Sequence, residues 1–345
     1  MKIRFIRPVV FIVSVFVLTF SARADTEQHD ITPGNMLRAW RNWVEVNKVG
    51  ASSIAISFDG KIIATDGYNL APDESAPVAS LTKAITGICL LQLLQGGQYN
   101  LNTPIGEILG DVFEGEKIKG LEQKLAIKIG MLLSHTSGFK KDITQHKGLN
   151  KVGNFDQPNI QKQALRAIQQ KLAAPPGKKY YYNNGNYALL GLIIEQLSGG
   201  SYEQTCLDQT LRPAGVEDAE LNPEWRIMSS WGGWRLSAVD YARFVNTYFG
   251  KNKVLGNKPR DYGAGRVSEE VNYGPGFFWR YARDGHNFWH FGRWSWNYPH
   301  SHVRFGAYFS RYVSGWSMSV NYDIKPSEKQ ALALDRALQE AAHKQ

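Results

Sequence analysis

Three short segments carry side chains whose types and spacing suit acyl transfer. Ser80-Leu81-Thr82-Lys83 stands where an apolar helix begins. On a helix, positions i and i+3 share a face, so the Ser80 hydroxyl and the Lys83 ammonium can meet. The first turn adds unpaired backbone N–H groups and the positive end of the helix dipole, which favour negative charge on a serine oxygen or a reacting carbonyl. A lysine whose pKa is lowered can then act as base or stabilise the alkoxide. Read alone, Ser80 is also an ordinary helix N-cap. Ser137-Gly138-Phe139-Lys140 repeats the pattern in a loop with no helix behind it.

The second segment is Tyr182-Asn183-Asn184, within a Tyr/Asn-rich turn that follows Pro176-Gly177. A tyrosine beside a lysine can hold a phenolate near neutral pH and serve as general base, while an amide positions substrate. Tyr181-Tyr182-Asn183 fits the same Tyr-x-Asn pattern, so local spacing leaves two registers open. The third segment is His290-Phe291-Gly292. His290 can donate to the phenol or share its proton, and Gly292 lets a substrate backbone lie close to a strand.

The elements that must position these groups follow from periodicity. A helical pattern runs from Pro33 to Val46, and Ser53–Phe58 and Lys61–Thr65 alternate around Asp59-Gly60 as a hairpin. The pattern from Ser80 to about Leu221 is mainly helical, with apolar helices at Ala84–Gln95 and Asn186–Leu197. Strands return as two hairpins, turning at Asp284-Gly285 and Ser314-Gly315, and Pro326–His343 closes the chain as a helix. The predicted fold class is α+β: an antiparallel β-sheet flanked by terminal helices, with an inserted mainly helical lobe at about 81–221. A cleft between the lobes is the natural place for a site.

Composition narrows the function classes. With 345 residues, 43% hydrophobic and 21% charged, the chain is neither disordered nor a small disulfide-stapled domain. Residues 1–24 read as a secretory signal: Lys2, Arg4 and Arg7, an apolar run from Pro8 to Phe20, then Ala22-Arg23-Ala24 before Asp25. The run is too short to span a bilayer comfortably, so no stable membrane span is expected after cleavage, and residues 25–345 form the mature domain. The expected location is the periplasm or the exterior. Cleavage removes four of the 40 basic residues and none of the 31 acidic ones, so the formal charge of +9 falls to about +5. No Lys/Arg-rich run of five occurs, and nucleic acid is not an expected partner. Cys89 lies in an apolar helical stretch, so a buried free thiol is expected there, with pairing to Cys206 left to geometry.

The three segments occur in an order that resembles the serine β-lactamase and penicillin-binding-protein superfamily, in its class C-like branch of β-lactamases, D-aminopeptidases, DD-carboxypeptidases and esterases. Two further stretches are similar to family segments: Met131 to Phe139, containing Ser134-His135-Thr136-Ser137-Gly138, and Gly232-Gly233-Trp234-Arg235-Leu236-Ser237-Ala238-Val239-Asp240. The family's spacing selects Tyr182 and Asn184 over Tyr181 and Asn183. The resemblance implies an acyl-enzyme on Ser80, with Lys83 and Tyr182 sharing the proton transfers. It implies that Asn184 holds the substrate and the Ser80–Lys83 pair, and that the backbone N–H groups of Ser80 and Arg293 form the oxyanion hole. The implied substrates are small esters, amides or peptides, peptidoglycan fragments among them, and no cofactor is implied. The alternative is an inactive, penicillin-binding-like envelope protein that keeps the fold.

Two departures bear on substrate. His290 stands where many family members have a lysine that binds a carboxylate, and Phe291 replaces a threonine. Arg293 adds a cation whose direction the sequence leaves open. Eleven aromatic residues crowd the 26 positions from Tyr273 to Tyr298, some expected in the core and others lining an apolar acyl pocket. This favours an esterase- or peptidase-like hydrolase over an efficient β-lactamase. His286, His290, His300 and His302 match no zinc-ligand spacing, so no metal is expected. No Gly-x-Ser-x-Gly elbow occurs, which disfavours an α/β-hydrolase.

Overall fold

The computed structural model describes residues 20–250, 253, 262–282, 285–297 and 302–343. The signal segment lies outside them as far as residue 19. In chain order, helix α1 (Phe20–Val46) leads into the hairpin β1 (Ser52–Phe58) and β2 (Lys61–Tyr68), then the short strand β3 (Ala76–Pro77). A 3-10 turn (Ala79–Leu81) opens α2 (Thr82–Leu94). Short helices α3 (Gly106–Leu109), α4 (Leu121–Leu125) and α5 (Ile129–Leu133) precede α6 (Ile160–Ile168), α7 (Asn184–Ser198) and α8 (Tyr202–Cys206). Next come β4 (Glu220–Leu221), α9 (Ser229–Gly232), β5 (Trp234–Leu236) and α10 (Ala238–Tyr248). The chain ends with β6 (Gly265–Arg266), β7 (Asn272–Tyr273), β8 (Phe278–Ala282), β9 (Gly285–Asn297), β10 (His302–Arg311), β11 (Trp316–Tyr322) and α11 (Glu328–His343).

Among the described residues the main sheet has eight antiparallel strands in the order β2-β1-β11-β10-β9-β8-β7-β6. Alternation along the central strands sorts the side chains between two faces. Ile54 and Ile56 on β1, and Met318, Val320 and Tyr322 on β11, pack with Met36, Trp40 and Val44 of α1 and Leu334 and Leu338 of α11. Ser319 and Asn321, between the apolar residues of β11, face the other side: Ser319 Oγ donates to Ala238 O of α10 at 2.5 Å and Asn321 Nδ2 to Leu236 O of β5 at 2.9 Å. The terminal helices thus cover one face, as the sequence predicts. Helical structure continues past residue 221 into α9 and α10, because α10 carries an apolar stripe that closes the opposite face.

The larger core joins α2 and α7 to β9 and β10 and fills the helical side. Cys89 and Cys206 are bonded, with 5.4 Å between their Cα atoms, which corrects the expected free thiol. Cys89 faces α8 from the buried side of α2, a juxtaposition made by tertiary packing across 117 residues. Strand β9 runs on to Asn297. Its pairing with β8 stops at Trp289, while its pairing with β10 continues to Asn297.

Candidate active site

Ser80 lies in the 3-10 turn at the head of α2, and Lys83 is the second residue of the helix. The turn is tied down on several sides. Val78 N–H donates to Trp234 O at 3.0 Å, the Tyr241 hydroxyl donates to Leu81 O at 3.0 Å, and Trp234 N–H reaches Thr82 Oγ1 at 3.1 Å. Ala79 is held at φ +48°, in the left-handed region, just before the serine. The Lys83 amine is wholly buried and stands 3.2 Å from Ser80 Oγ. It donates to Trp231 O at 2.6 Å. Burial, opposed by the charge of Asp142, lowers Lys83 from its usual 10.5 to about 7. The amine therefore gives up its proton near neutral pH, which puts a lone pair beside the serine hydroxyl.

Of the two tyrosine registers, the structure brings Tyr182 to this pair. Its ring lies 5.1 Å from Lys83 Nζ, whereas Tyr181 stands under the surface cation of Lys140. Tyr182 presents 36% of its surface to solvent, yet burial of its hydroxyl and the charge of Asp142 push the phenol above its ordinary value. This corrects the expected phenolate near neutral pH: Tyr182 is a standing donor.

Tyr182 is gripped from both flanks by His135, in the loop after α5. Tyr181 N–H donates to His135 O at 2.8 Å and Asn183 N–H to His135 Nδ1 at 3.3 Å. His135 sits at φ +56°, which lets its carbonyl and its ring serve the same segment. Asn186 Nδ2 also faces Nδ1 at 3.0 Å, so that nitrogen accepts and the proton rests on Nε2. Burial holds His135 well below its usual pKa. The rings of Tyr180, Tyr182, Tyr187 and Tyr273 enclose it, with centroids 4.4 to 6.0 Å away.

The opposite wall is β9, whose edge beyond Trp289 is free of β8. Alternation turns His290, Gly292 and Trp294 toward the helical side, and Phe291 and Arg293 toward the terminal helices. A side chain at Gly292 would come within 2.4 Å of Val78 O and 3.2 Å of Ser80 N, so only glycine lets the strand approach the serine turn. His290 is buried, donates through Nδ1 to Phe291 O at 2.9 Å and accepts from the Tyr273 hydroxyl at 3.1 Å. Burial, with Lys83 nearby, lowers it to about 3, so it is a neutral residue. Phe291 stacks on Tyr308 at 4.9 Å, and the exposed Arg293 donates to Pro326 O at 3.3 Å. Neither side chain enters the wall that His290 and Gly292 form.

Asn184 opens α7. Its Nδ2 donates to Thr144 Oγ1 at 2.8 Å rather than to the Ser80–Lys83 pair, and its buried Oδ1 has no protein partner. Beyond Gly292 the aromatic excess resolves into a cluster. Trp294 and Trp296 stack at 6.3 Å, Trp231 lies 5.6 Å from Trp294, and Trp225 and Phe155 close the group. Trp225, Trp231 and Trp294 are buried, while Phe155 and Trp296 are half-exposed. Among the described residues, no three His, Cys, Asp or Glu side chains converge as a metal site, and His300 lies outside those residues.

A helix headed by Ser80 and facing an antiparallel strand, with a buried lysine between them, is the arrangement of the β-lactamase and penicillin-binding fold. A β-lactamase family model matches residues 44–314, and the chain belongs to that family. Among its relatives, Protein flp of Staphylococcus aureus strain MW2 is 33% identical over 175 residues, 48% of this chain and 33% of that protein. Penicillin-binding protein 4 of Amycolatopsis lactamdurans is 29% identical over 160 residues, 46% of this chain and 39% of that protein. The chain thus spans about a third of the length of these curated relatives. The fold matches the octameric penicillin-binding protein homologue from Pyrococcus abyssi at TM-score 0.69 and 19% identity, covering 89% of this chain and 77% of that one. It matches a D-stereospecific amidohydrolase from Streptomyces sp. at TM-score 0.65 and 19% identity, covering 86% and 94%.

Proposed function

We propose that this protein is an exported serine hydrolase that cleaves an ester or amide through an acyl-enzyme on Ser80. The observation that carries this reading is the buried Lys83 amine 3.2 Å from Ser80 Oγ, where burial lowers its pKa to about 7. Ser80 Oγ attacks the carbonyl carbon while its proton passes to Lys83 Nζ, the group whose pKa lies near the working pH. The Trp231 carbonyl occupies one N–H of Lys83 and leaves the lone pair to the serine. Negative charge gathers on the former carbonyl oxygen, between the backbone N–H groups of Ser80 and Arg293 on the free edge of β9. Lys83 Nζ returns that proton to the departing alkoxide or amine as the carbon–oxygen or carbon–nitrogen bond breaks, while Tyr182, held as a phenol, donates a hydrogen bond to the leaving group. Water then cleaves the Ser80 ester by the reverse proton route.

The substrate leans toward neutral esters or amides, because His290 is neutral with both nitrogens engaged and Arg293 is bonded at Pro326. Export is supported by the N-terminal signal pattern and by the Cys89–Cys206 bond, which suits an oxidising compartment. A fluorophosphonate probe should label the protein, and Ser80→Ala should abolish labelling. A turnover panel of p-nitrophenyl esters, nitrocefin and D-Ala-D-Ala peptides then ranks the substrates. A wild-type protein that resists every acylating probe overturns this reading.

A further inference from the structure

Thr86 lies on α2 three residues beyond Lys83, so the two side chains leave the helix on one face. Both residues are fully buried, and both reach the short helix α9. Lys83 Nζ donates to Trp231 O at 2.6 Å, and Thr86 Oγ1 donates to the adjoining Ser230 O at 2.6 Å. Two successive carbonyls of α9 are thus held by two side chains of the helix that Ser80 heads. The Thr86 hydroxyl also stands 2.8 Å from the Tyr202 hydroxyl and 3.2 Å from Thr82 O. Tyr202 in turn accepts from Trp234 Nε1 at 2.8 Å.

Proton counting gives this group a direction. A hydroxyl has one proton, a carbonyl oxygen only accepts, and an indole N–H only donates. The shortest contact puts the Thr86 proton on Ser230 O, so the proton between the two hydroxyls belongs to Tyr202. The chain then runs from Trp234 through Tyr202 and Thr86 to Ser230 O, with every member satisfied. All four residues are wholly buried, where an unmet partner is costly. The start of α9 needs such support, because Ser229 sits at φ +24°, a region that serine adopts only when its surroundings impose it. Ser230 Oγ donates to Tyr187 O on α7 and Trp231 Nε1 to Gln163 Oε1 on α6, both at 2.8 Å. Thr86 adds the tie to α2, next to the lysine.

We propose that Thr86 is a positioning residue for Lys83: by fixing Ser230 O against α2, it sets the Trp231 carbonyl where it takes one N–H of the amine and leaves the lone pair to Ser80. Without the Thr86 hydroxyl, Ser230 O loses its donor and Tyr202 its acceptor, and the Ser229–Trp231 turn can relax away from the amine. The lysine then loses its fixed acceptor, and its 3.2 Å approach to Ser80 Oγ is no longer enforced. This role rests on Ser80 and Lys83 as nucleophile and base.

A double-mutant cycle tests it, read on the full chain by second-order labelling with a fluorophosphonate and by kcat/KM for p-nitrophenyl acetate. Thr86→Val keeps the shape of the side chain and removes the hydroxyl. With Lys83 present it should lower both rates about tenfold or more. In the Lys83→Met background, where no base remains to misplace, it should lower them by less than about twofold. Thr86→Ser, which keeps the hydroxyl, should stay within about threefold of wild type. Thr210→Val deletes another buried hydroxyl, one that bonds Gln92 near the far end of α2, and should leave both rates unchanged. Equal losses in the two backgrounds make Thr86 merely structural and overturn the assignment, as does a folded Thr86→Val protein that reacts at the wild-type rate. If Thr86→Val does not fold, Thr86→Ala carries the same expectations. A wild-type protein that is neither labelled nor active overturns Ser80 instead, so the two failures are distinct.

Discussion

Ser80–Lys83 and Ser137–Lys140 are the same four-residue pattern placed in two different environments. In the first, a 3-10 turn passes into α2 and brings the lysine back under the serine, buried and 3.2 Å away. In the second, the chain turns through Gly138 at φ +92°, and the two side chains part. Ser137 Oγ is buried and donates to Asn186 Oδ1 at 2.7 Å, while Lys140 is exposed with its amine 5.7 Å from the Tyr181 ring. A serine and a lysine three residues apart thus come within hydrogen-bond reach only when a helix closes the distance, and the amine loses its water only when a core covers it. The second copy is structural: through Asn186 and His135 it braces the segment that carries Tyr182.

The widest gap between the two copies is expected at the lysines. Lys83→Met should cut turnover by about 10²–10⁴-fold by removing the base, whereas Lys140→Met should leave it within a factor of two or so. Stability should move the other way. A buried amine lowered from 10.5 to about 7 binds its proton more weakly in the folded than in the unfolded chain. Between those pH values the unfolded state holds the extra proton, so wild-type stability rises with pH across that window and falls as pH drops toward 7. Thermal unfolding should therefore show Lys83→Met more stable than wild type near pH 7. The difference should shrink by up to about 1.4 kcal/mol per pH unit as pH rises. A pH-independent difference would place a charged, solvated lysine at position 83.

Gly292 tests the contact between β9 and the first tetrad, for which the second has no counterpart. A methyl group there meets Val78 O at 2.4 Å, and backbone must move. Gly292→Ala should cost about 1–3 kcal/mol in denaturant unfolding and lower kcat/KM at least tenfold, because the strand carries the Arg293 N–H away from Ser80. Full activity in a stable Gly292→Ala protein would remove β9 from the oxyanion hole.

Much of this arrangement is legible in the sequence, for reasons that also explain what is not. The hairpins announce themselves by period-2 alternation around Asp-Gly and Ser-Gly turns, and α2 and α7 by long apolar runs. The direction of Arg293 follows only once β9 is seen to reach Asn297, since residues 290, 292 and 294 then share one face and 291 and 293 the other. The Cys89–Cys206 bond is not legible, because it depends on how α2 packs against α8. Nor is the state of Tyr182. Spacing places a lysine near the phenol, but burial and the charge of Asp142, arriving from a loop 40 residues away, decide that it stays protonated. The His135 clamp acts on backbone N–H groups, which have no signature in side-chain patterns, and the family-like Ser134–Gly138 segment is the pointer to it.

His135 separates bracing from chemistry more finely. Its Nδ1 and carbonyl hold the flanks of Tyr182, so His135→Ala should lower kcat about tenfold while the acid limb of the pH profile stays put. His135→Asn offers an acceptor close to the same place and tolerates the left-handed backbone, so it should recover part of the loss. A shifted acid limb in His135→Ala would make the imidazole a member of the proton network rather than a brace.

Ser137→Ala should give the smallest change, and it bears most directly on why the second tetrad is present. The substitution removes a buried hydroxyl that bonds Asn186 Oδ1, leaving that oxygen without its donor. The expected cost is about 1–3 kcal/mol in chemical denaturation, the usual range for orphaning a buried acceptor. Fluorophosphonate labelling of the folded protein should proceed at nearly the wild-type rate, since Ser80 and Lys83 are untouched. A loss of labelling without a loss of stability would mean that Ser137, and not the helix-borne serine, supplies the oxygen that is acylated. The geometry opposes that outcome, because Ser137 is fully buried and its partner is an amide with no capacity to take a proton.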